Sequence, residues 1–176
     1  MDLSRSLPPH PIEHLPAAPA ELQVRSEDFE DSGPLPRAAG FGFGNTSPQL
    51  SWSGAPDGTM SYLLVCHDPD APVLGGFTHW AVIGLPADVT SLPAGAGQFG
   101  RQLGEGAVTL ENDYGTKDYG GAAPPEGDGQ HRYVFTVWAL DTDVTGLDGS
   151  TSVAKAQFTT LDNVLARGHL TGTYEQ

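Results

Sequence analysis

The order of apolar and polar positions predicts a chain built mainly from short β-strands. Residues 61–67, 79–85 and 132–140 are almost continuously apolar and include β-branched and aromatic side chains. Runs of this length and composition are typical of strands that are covered on both faces. The run at 132–140 is the longest, and we expect it to be a central strand of a sheet.

Weaker patterns add further elements. Residues 21–29 contain a short alternation of apolar and polar side chains that indicates the first strand, and residues 49–53 show another. Residues 32–46 are rich in glycine and proline and should form a loop. The sequence therefore predicts strands separated by turns along most of its length.

One segment near the C-terminus has the pattern of a helix. Gly168 stands where a glycine commonly follows a helix, and Thr159 or Thr160 is suited to cap the first turn. The apolar side chains at helical spacing are Leu161, Val164 and Leu165. We therefore expect a helix over residues 160–168.

Length and composition favour one domain. A chain of 176 residues can bury a core without the help of a disulfide or a metal. Its 23 glycines and 15 prolines are scattered between the apolar runs, which favours many strands joined by turns. Residues 1–20 are rich in proline and alanine and are predicted to form a flexible N-terminal arm. Residues 21–176 form the single domain of this prediction.

The acidic charge argues against two classes of partner. The chain has 22 Asp and Glu against 8 Lys and Arg, a formal net charge of −14. Nucleic acids are bound by clusters of Lys and Arg, so no nucleic-acid partner is expected. An anionic membrane surface would repel the protein for the same reason. A well-solvated surface explains the charge, and an acidic face that binds a partner is the alternative.

The sequence also predicts a cytoplasmic location. Cys66 is the single cysteine, so the chain has neither an internal disulfide nor a cysteine-based zinc site. The N-terminus lacks the apolar core of a signal peptide, and no apolar stretch approaches 18 residues. No membrane insertion is therefore expected.

Polar side chains stand at the ends of two predicted strands. Asp68 and Asp70 flank a proline directly after the run 61–67, and His79 opens the run 79–85. A carboxylate at the end of a buried strand needs a partner. An Asp that caps the amides of a turn is one explanation, and a binding site is the other. If the two strands pair, His79 lies close to the carboxylates.

A glycine-rich loop over residues 113–131 ends at a second histidine, His131. Backbone N–H groups in such loops can converge on an anion, although the composition alone also fits a mobile surface loop. Imidazolium and N–H groups donate to phosphate oxygens, and a nearby carboxylate raises the pKa of a histidine. Two histidines, two carboxylates and this loop together indicate a pocket for a small anion.

Four motifs occur in order along the chain. They are S-P-x-L-x-W at residues 47–52, DPDAP at residues 68–72, His-Trp at residues 79–80, and G-x-x-P-P-x-G-x-G-x-H-R-Y at residues 121–133. Together they resemble the phosphatidylethanolamine-binding protein (PEBP) family, in its bacterial and archaeal Raf-kinase-inhibitor-like branch. The resemblance implies a mainly-β fold, an antiparallel β-sandwich of Greek-key type with a small C-terminal helix. It also implies a pocket that accepts phosphate, acetate or a phosphoryl headgroup such as phosphoethanolamine.

The resemblance further implies which residues form the pocket. They are Asp68, Asp70, His79, Gly121, Pro124, His131, Tyr133 and Tyr174. This chain departs from the family at Ala122 and Ala123, where many bacterial members have Pro-Cys, and at Leu74, where eukaryotic members place an aromatic residue. Bacterial relatives suggest a homodimer, although no segment of the sequence marks an interface.

The favoured function is a non-catalytic binding protein for a small anionic or phosphorylated ligand, with a role in regulating a partner protein. No cofactor or metal is expected. The first alternative is a hydrolase in which Asp68, Asp70, His79 and His131 bind a metal or act as acid and base. The second is an inhibitor of a kinase or protease. The chain has no G-x-S-x-G elbow and Cys66 lies inside a strand, which favours binding over catalysis.

Overall fold

The computed structural model describes residues 5–144 and 146–176, and residues 1–4 of the predicted arm lie outside this part. Its strands are β1 (Ala20–Glu21), β2 (Gln23–Arg25), β3 (Gly33–Pro34), β4 (Leu50–Ser53), β5 (Ser61–Asp68), β6 (Phe77–Pro86), β7 (Ser91–Leu92), β8 (Val108–Thr109), β9 (His131–Leu140) and β10 (Val164–Tyr174). One α-helix, α1 (Val153–Thr159), precedes β10, and short 3-10 helices occupy Pro11–His14, Arg37–Ala39 and Leu161–Asn163. None of these helices has the length and apolar character needed to cross a membrane.

The strands form two sheets. The large sheet has the order β1-β10-β9-β5-β6-β8, with β3 also paired to β10, and the small sheet has the order β2-β4-β7. The pairs are antiparallel except that β1 and β3 run parallel to β10. The three apolar runs of the sequence are the long strands β5, β6 and β9, and the predicted mainly-β sandwich is confirmed.

The helix predicted at residues 160–168 is wrong. The helix of this region is α1, which begins after Ser152 and ends at Thr160. Residues 164–174 instead form β10, which pairs with β9 along its length. Pairing with a buried central strand outweighs the helical spacing of a few apolar residues. The buried residues of the first half of β10 alternate as in a strand: Ala166, Gly168 and Leu170.

Two apolar layers hold the sheets in place. The layer between the sheets contains buried side chains from both, including Leu50, Trp52, Leu64, Phe135 and Val137. The opposite face of the large sheet carries a second cluster, including Leu63, Val65, Ile83 and Trp138, which packs against Ala156 of α1. The large sheet is therefore covered on both faces, which explains the continuous apolar runs.

The chain crosses from the large sheet to the small one at Leu22, between β1 and β2. The backbone N–H of Leu22 donates to the carbonyl oxygen of Arg167 at 3.1 Å. A Cβ atom on Gly168 would lie 2.1 Å from the carbonyl oxygen of Leu22. A glycine is thus required at position 168, because the backbone of Leu22 occupies the space that a side chain at this position would need.

We expect the Gly168→Ala substitution to destabilise the fold by at least about 2 kcal/mol, because backbone atoms would have to move. Gly172→Ala is the matched control in the same strand, since its Cβ would meet side-chain atoms of Leu35 and Phe29, which can shift more easily than backbone. Urea unfolding of both variants measures the difference. An equal cost for the two substitutions would contradict the assigned crossing.

Candidate functional site

The buried side chain of His131 lies between two carboxylates at the edge of the large sheet. Its Nδ1 is 2.8 Å from Oδ2 of Asp68, and its Nε2 is 3.0 Å from Oδ2 of Asp128. Burial opposes the charged imidazole, but Asp68 and Asp128 outweigh it and raise the pKa of His131 above its ordinary value. The geometry therefore favours an imidazolium that donates to both carboxylates.

The raised pKa of His131 also affects stability. The folded protein binds this proton more tightly than the unfolded chain does. The stabilisation is complete below the unfolded pKa of about 6.5. It is lost as the pH rises through the higher pKa of the folded state.

Asp68 acts both as a turn cap and as a partner of His131. Its Oδ1 accepts the backbone N–H of Asp70 at 2.8 Å and that of Ala71 at 3.0 Å, while its Oδ2 faces His131. The turn cap and the contact with the site, which the sequence left as alternatives, are therefore both present, one at each oxygen of Asp68. The turn fixes the direction of the carboxylate, and the carboxylate fixes the imidazole ring.

Asp70 is occupied by Arg132. Its Oδ2 accepts the backbone N–H and the Nε of Arg132, both at 2.8 Å, and its Oδ1 accepts Nη2 at 2.6 Å. Burial alone would raise the pKa of Asp70, but Arg132 holds it below its usual value. Asp70 therefore anchors the first residues of β9, and we assign it to positioning His131 rather than to ligand contact.

His79, at the start of β6, has a fixed tautomer. Its Nδ1 donates to the carbonyl oxygen of Gly120 at 2.8 Å. Burial lowers the pKa of His79, so the neutral ring is favoured and its Nε2 carries a lone pair. The ring makes edge contacts with Tyr133, at 5.0 Å between centroids, and with Tyr114, at 5.6 Å.

The hydroxyl group of Tyr133 is buried, and its O–H has no acceptor among the described residues, although the backbone N–H of Ala123 approaches its oxygen. The whole residue is 0% exposed, and burial raises its pKa, so the O–H remains protonated. Buried polar groups are nearly always paired with protein, water or ligand. A donor without an acceptor beside His79 therefore indicates a place for a ligand atom.

The two loop residues implied by the sequence, Gly121 and Pro124, are both buried. A Cβ atom on Gly121 would lie 2.4 Å from both the backbone nitrogen of Phe41 and Oδ1 of Asn45. Tyr174 stands opposite His131 in the β9–β10 register and donates its O–H to the carbonyl oxygen of Arg37 at 3.4 Å.

Residues that the sequence reasoning did not single out complete the cluster. Arg5 donates to both oxygens of Asp128, at 2.5 and 2.9 Å, and also to the carbonyl oxygen of Asp70. The Nη2 of Arg132 donates to the carbonyl oxygen of Pro8 at 2.8 Å. The N-terminal segment thus lies against the site. In the sequence only Asp128 and Arg132 stand near His131, at three residues and one residue from it, whereas Asp68, Asp70 and the N-terminal segment are more than 60 residues away.

We predict that Asp68→Asn lowers the pKa of His131, because it removes the carboxylate on Nδ1. The NMR titration of the imidazole protons of His131 measures this change. Asp128→Asn should act in the same direction with a smaller effect, since Asp68 contributes more to the shift. An unchanged titration of His131 in Asp68→Asn would show that the pair does not form in solution.

Comparison with known proteins assigns the chain to a family. A family model described as phosphatidylethanolamine-binding protein matches residues 25–175. The UPF0098 protein YbcL of Escherichia coli is 42% identical over 165 residues, which cover 90% of each chain. A UPF0098 protein of Methanothermobacter thermautotrophicus is 37% identical over 155 residues, 88% of this chain and 99% of the relative. The crystal structure of E. coli YbcL matches with a TM-score of 0.83 at 43% identity, over 89% of this chain and 99% of that one. The chain therefore belongs to the phosphatidylethanolamine-binding protein family.

Proposed function

We propose that the protein is a non-catalytic binding protein that takes a small anion in a pocket beside His79 and Tyr133. The ligand class is phosphate, a phosphoryl headgroup such as phosphoethanolamine, or a carboxylate. Membership of the family supports a binding role. The observation that best supports an anionic ligand is the buried O–H of Tyr133. This group needs a hydrogen-bond acceptor and has none among the described residues.

The charges around the pocket are compatible with an anion. Arg5, Asp128, His131 and Asp68 alternate in sign along one chain of contacts, and Asp70 is neutralised by Arg132. An anion therefore meets paired carboxylates rather than free ones. The O–H of Tyr133 is a ready donor, and His79 becomes a second donor when it is protonated.

The contacts of His131 weigh against the hydrolase alternative. A metal ligand or a general base needs an imidazole nitrogen with an available lone pair. Both ring nitrogens of His131 face carboxylates, and the surrounding charges favour its protonated form. Asp70 is likewise held by Arg132. We therefore assign these residues to positioning and to charge balance.

We predict that Tyr133→Phe weakens phosphate binding at least severalfold, measured by isothermal titration calorimetry. The stability of the unliganded protein should stay nearly the same, because the deleted O–H has no acceptor in the described part of the fold. Tyr62→Phe is the matched control: Tyr62 is equally buried, and its O–H donates to the carbonyl oxygen of Ala87 at 3.4 Å. The control should leave phosphate binding intact, and unaltered binding in Tyr133→Phe would refute the pocket.

We also expect anion affinity to fall as the pH rises. Deprotonation of His131 leaves Asp68 and Asp128 uncompensated beside the ligand, and protonation of His79 at low pH adds a donor. Sulfate is the appropriate probe, since its charge is constant over this range. The logarithm of its affinity should decrease with a slope no steeper than about −1 per pH unit for each histidine. In His131→Gln the decrease at high pH should disappear; affinity that increases with pH would point to a metal-type site instead.

A further inference from the structure

A cavity of about 600 Å³ lies on the other face of the large sheet. Strand β9 separates it from the anion pocket, because successive side chains of a strand point to opposite faces. Tyr133 points to the anion pocket, whereas Val134, Thr136 and Trp138 form the floor of the cavity. Residues of α1 and of the segment Pro11–His14 complete its walls. The size is within the range of small-molecule sites.

Thr136 marks the centre of this floor. It is only 4% exposed, and among the described residues no hydrogen bond satisfies its hydroxyl group. In the sheet register Thr136 lies between Val65 on β5 and His169 on β10, and Val134 and Trp138 lie on either side of it along β9. A buried hydroxyl group without a hydrogen bond inside the protein requires a partner from outside it, either water or a ligand.

The charged side chains of the cavity are acidic. Glu111 and Asp113 are its formally charged side chains among the described residues, and neither Lys nor Arg lines it. Asp113 is held at one end of the floor, where its Oδ2 accepts the N–H of Thr78 at 2.6 Å and its own N–H donates to the Thr78 carbonyl at 3.0 Å. His67, beside Thr78, faces the same end, and burial lowers its pKa toward the neutral form.

We propose that this cavity is a second binding site, which takes an organic ammonium ion with an aromatic or alkyl body. The ammonium group lies at the end with Asp113 and Glu111, and the apolar body extends over Val65, Val134 and Trp138. From position 134 to position 138 the floor is about 13 Å long, which accommodates an arylalkylamine. The indole ring of Trp138 offers an aromatic face to such a ligand, and Thr136 supplies a central hydroxyl for a polar ring atom.

Tryptamine is a suitable probe, and indole-3-propionate has a similar shape with the opposite charge. In ¹⁵N-labelled protein we expect saturable shifts of the Thr136 and Trp138 signals with tryptamine, and binding at least about tenfold weaker for the acid. Added phosphate should not displace tryptamine, because the two sites lie on different faces of the sheet. The two proposals can therefore fail independently.

Three variants test the assigned contacts. Asp113→Asn keeps an oxygen for the N–H of Thr78 but removes the charge, and should weaken tryptamine binding severalfold. Asp57→Asn, in the turn before β5, is the charge control and should change nothing. Thr136→Val removes the hydroxyl with little change of volume, and should weaken tryptamine binding without loss of stability.

Four outcomes would overturn the second site. The first is the absence of saturable shifts up to about 5 mM tryptamine. The second is equal binding of the amine and the acid, and the third is shifts centred on the exposed rings of Phe41 and Tyr114 instead of the cavity. A dimer that already covers the cavity, detected as changes at Thr136 and Trp138 on dilution, would also replace the small-molecule site by an interface between two copies.

Discussion

The charged contact between His131 and Asp68 organises one end of this molecule. Ionised groups are tolerated in a protein interior only when they are paired and hydrogen-bonded. The pair therefore demands further partners, which come from Asp128 in the glycine-rich loop and Arg5 in the N-terminal segment. One buried imidazole thus ties the end of β5, the start of β9, a long loop and the N-terminal segment to a common position.

The long strands could be predicted because their burial on both faces leaves a simple signal of continuous apolar sequence. The last strand could not. Leu161, Val164 and Leu165 fit the spacing of a helix, and only the presence of β9 as a partner makes residues 164–174 a strand. Gly168 fits the pattern of a glycine that follows a helix, but the close approach of the Leu22 backbone is the reason for it. Both errors arise from contacts between segments far apart in sequence.

For the site, the sequence indicated the residues but not their partners. Asp68, His79, His131 and Tyr133 stand in recognisable motifs, and the fold brings them to one edge of the sheet. The roles of Arg132 and Asp128 depend on which side chains meet across the loops, and no periodicity records that. Asp70 illustrates the difference, because its motif is clear while its full occupation by Arg132 is visible only in three dimensions.

Strand β9 serves two faces with alternate residues, Tyr133 on one side and Thr136 on the other. Such a strand cannot tolerate a shift of register by one residue. A single inserted residue would turn every following side chain of β9 to the opposite face of the sheet. Both faces of the large sheet are apolar, so the displaced apolar side chains would still be buried. The polar side chains, however, would move to the opposite face of the sheet. The number of residues in β9 is therefore constrained more strictly than the identity of its hydrophobic residues.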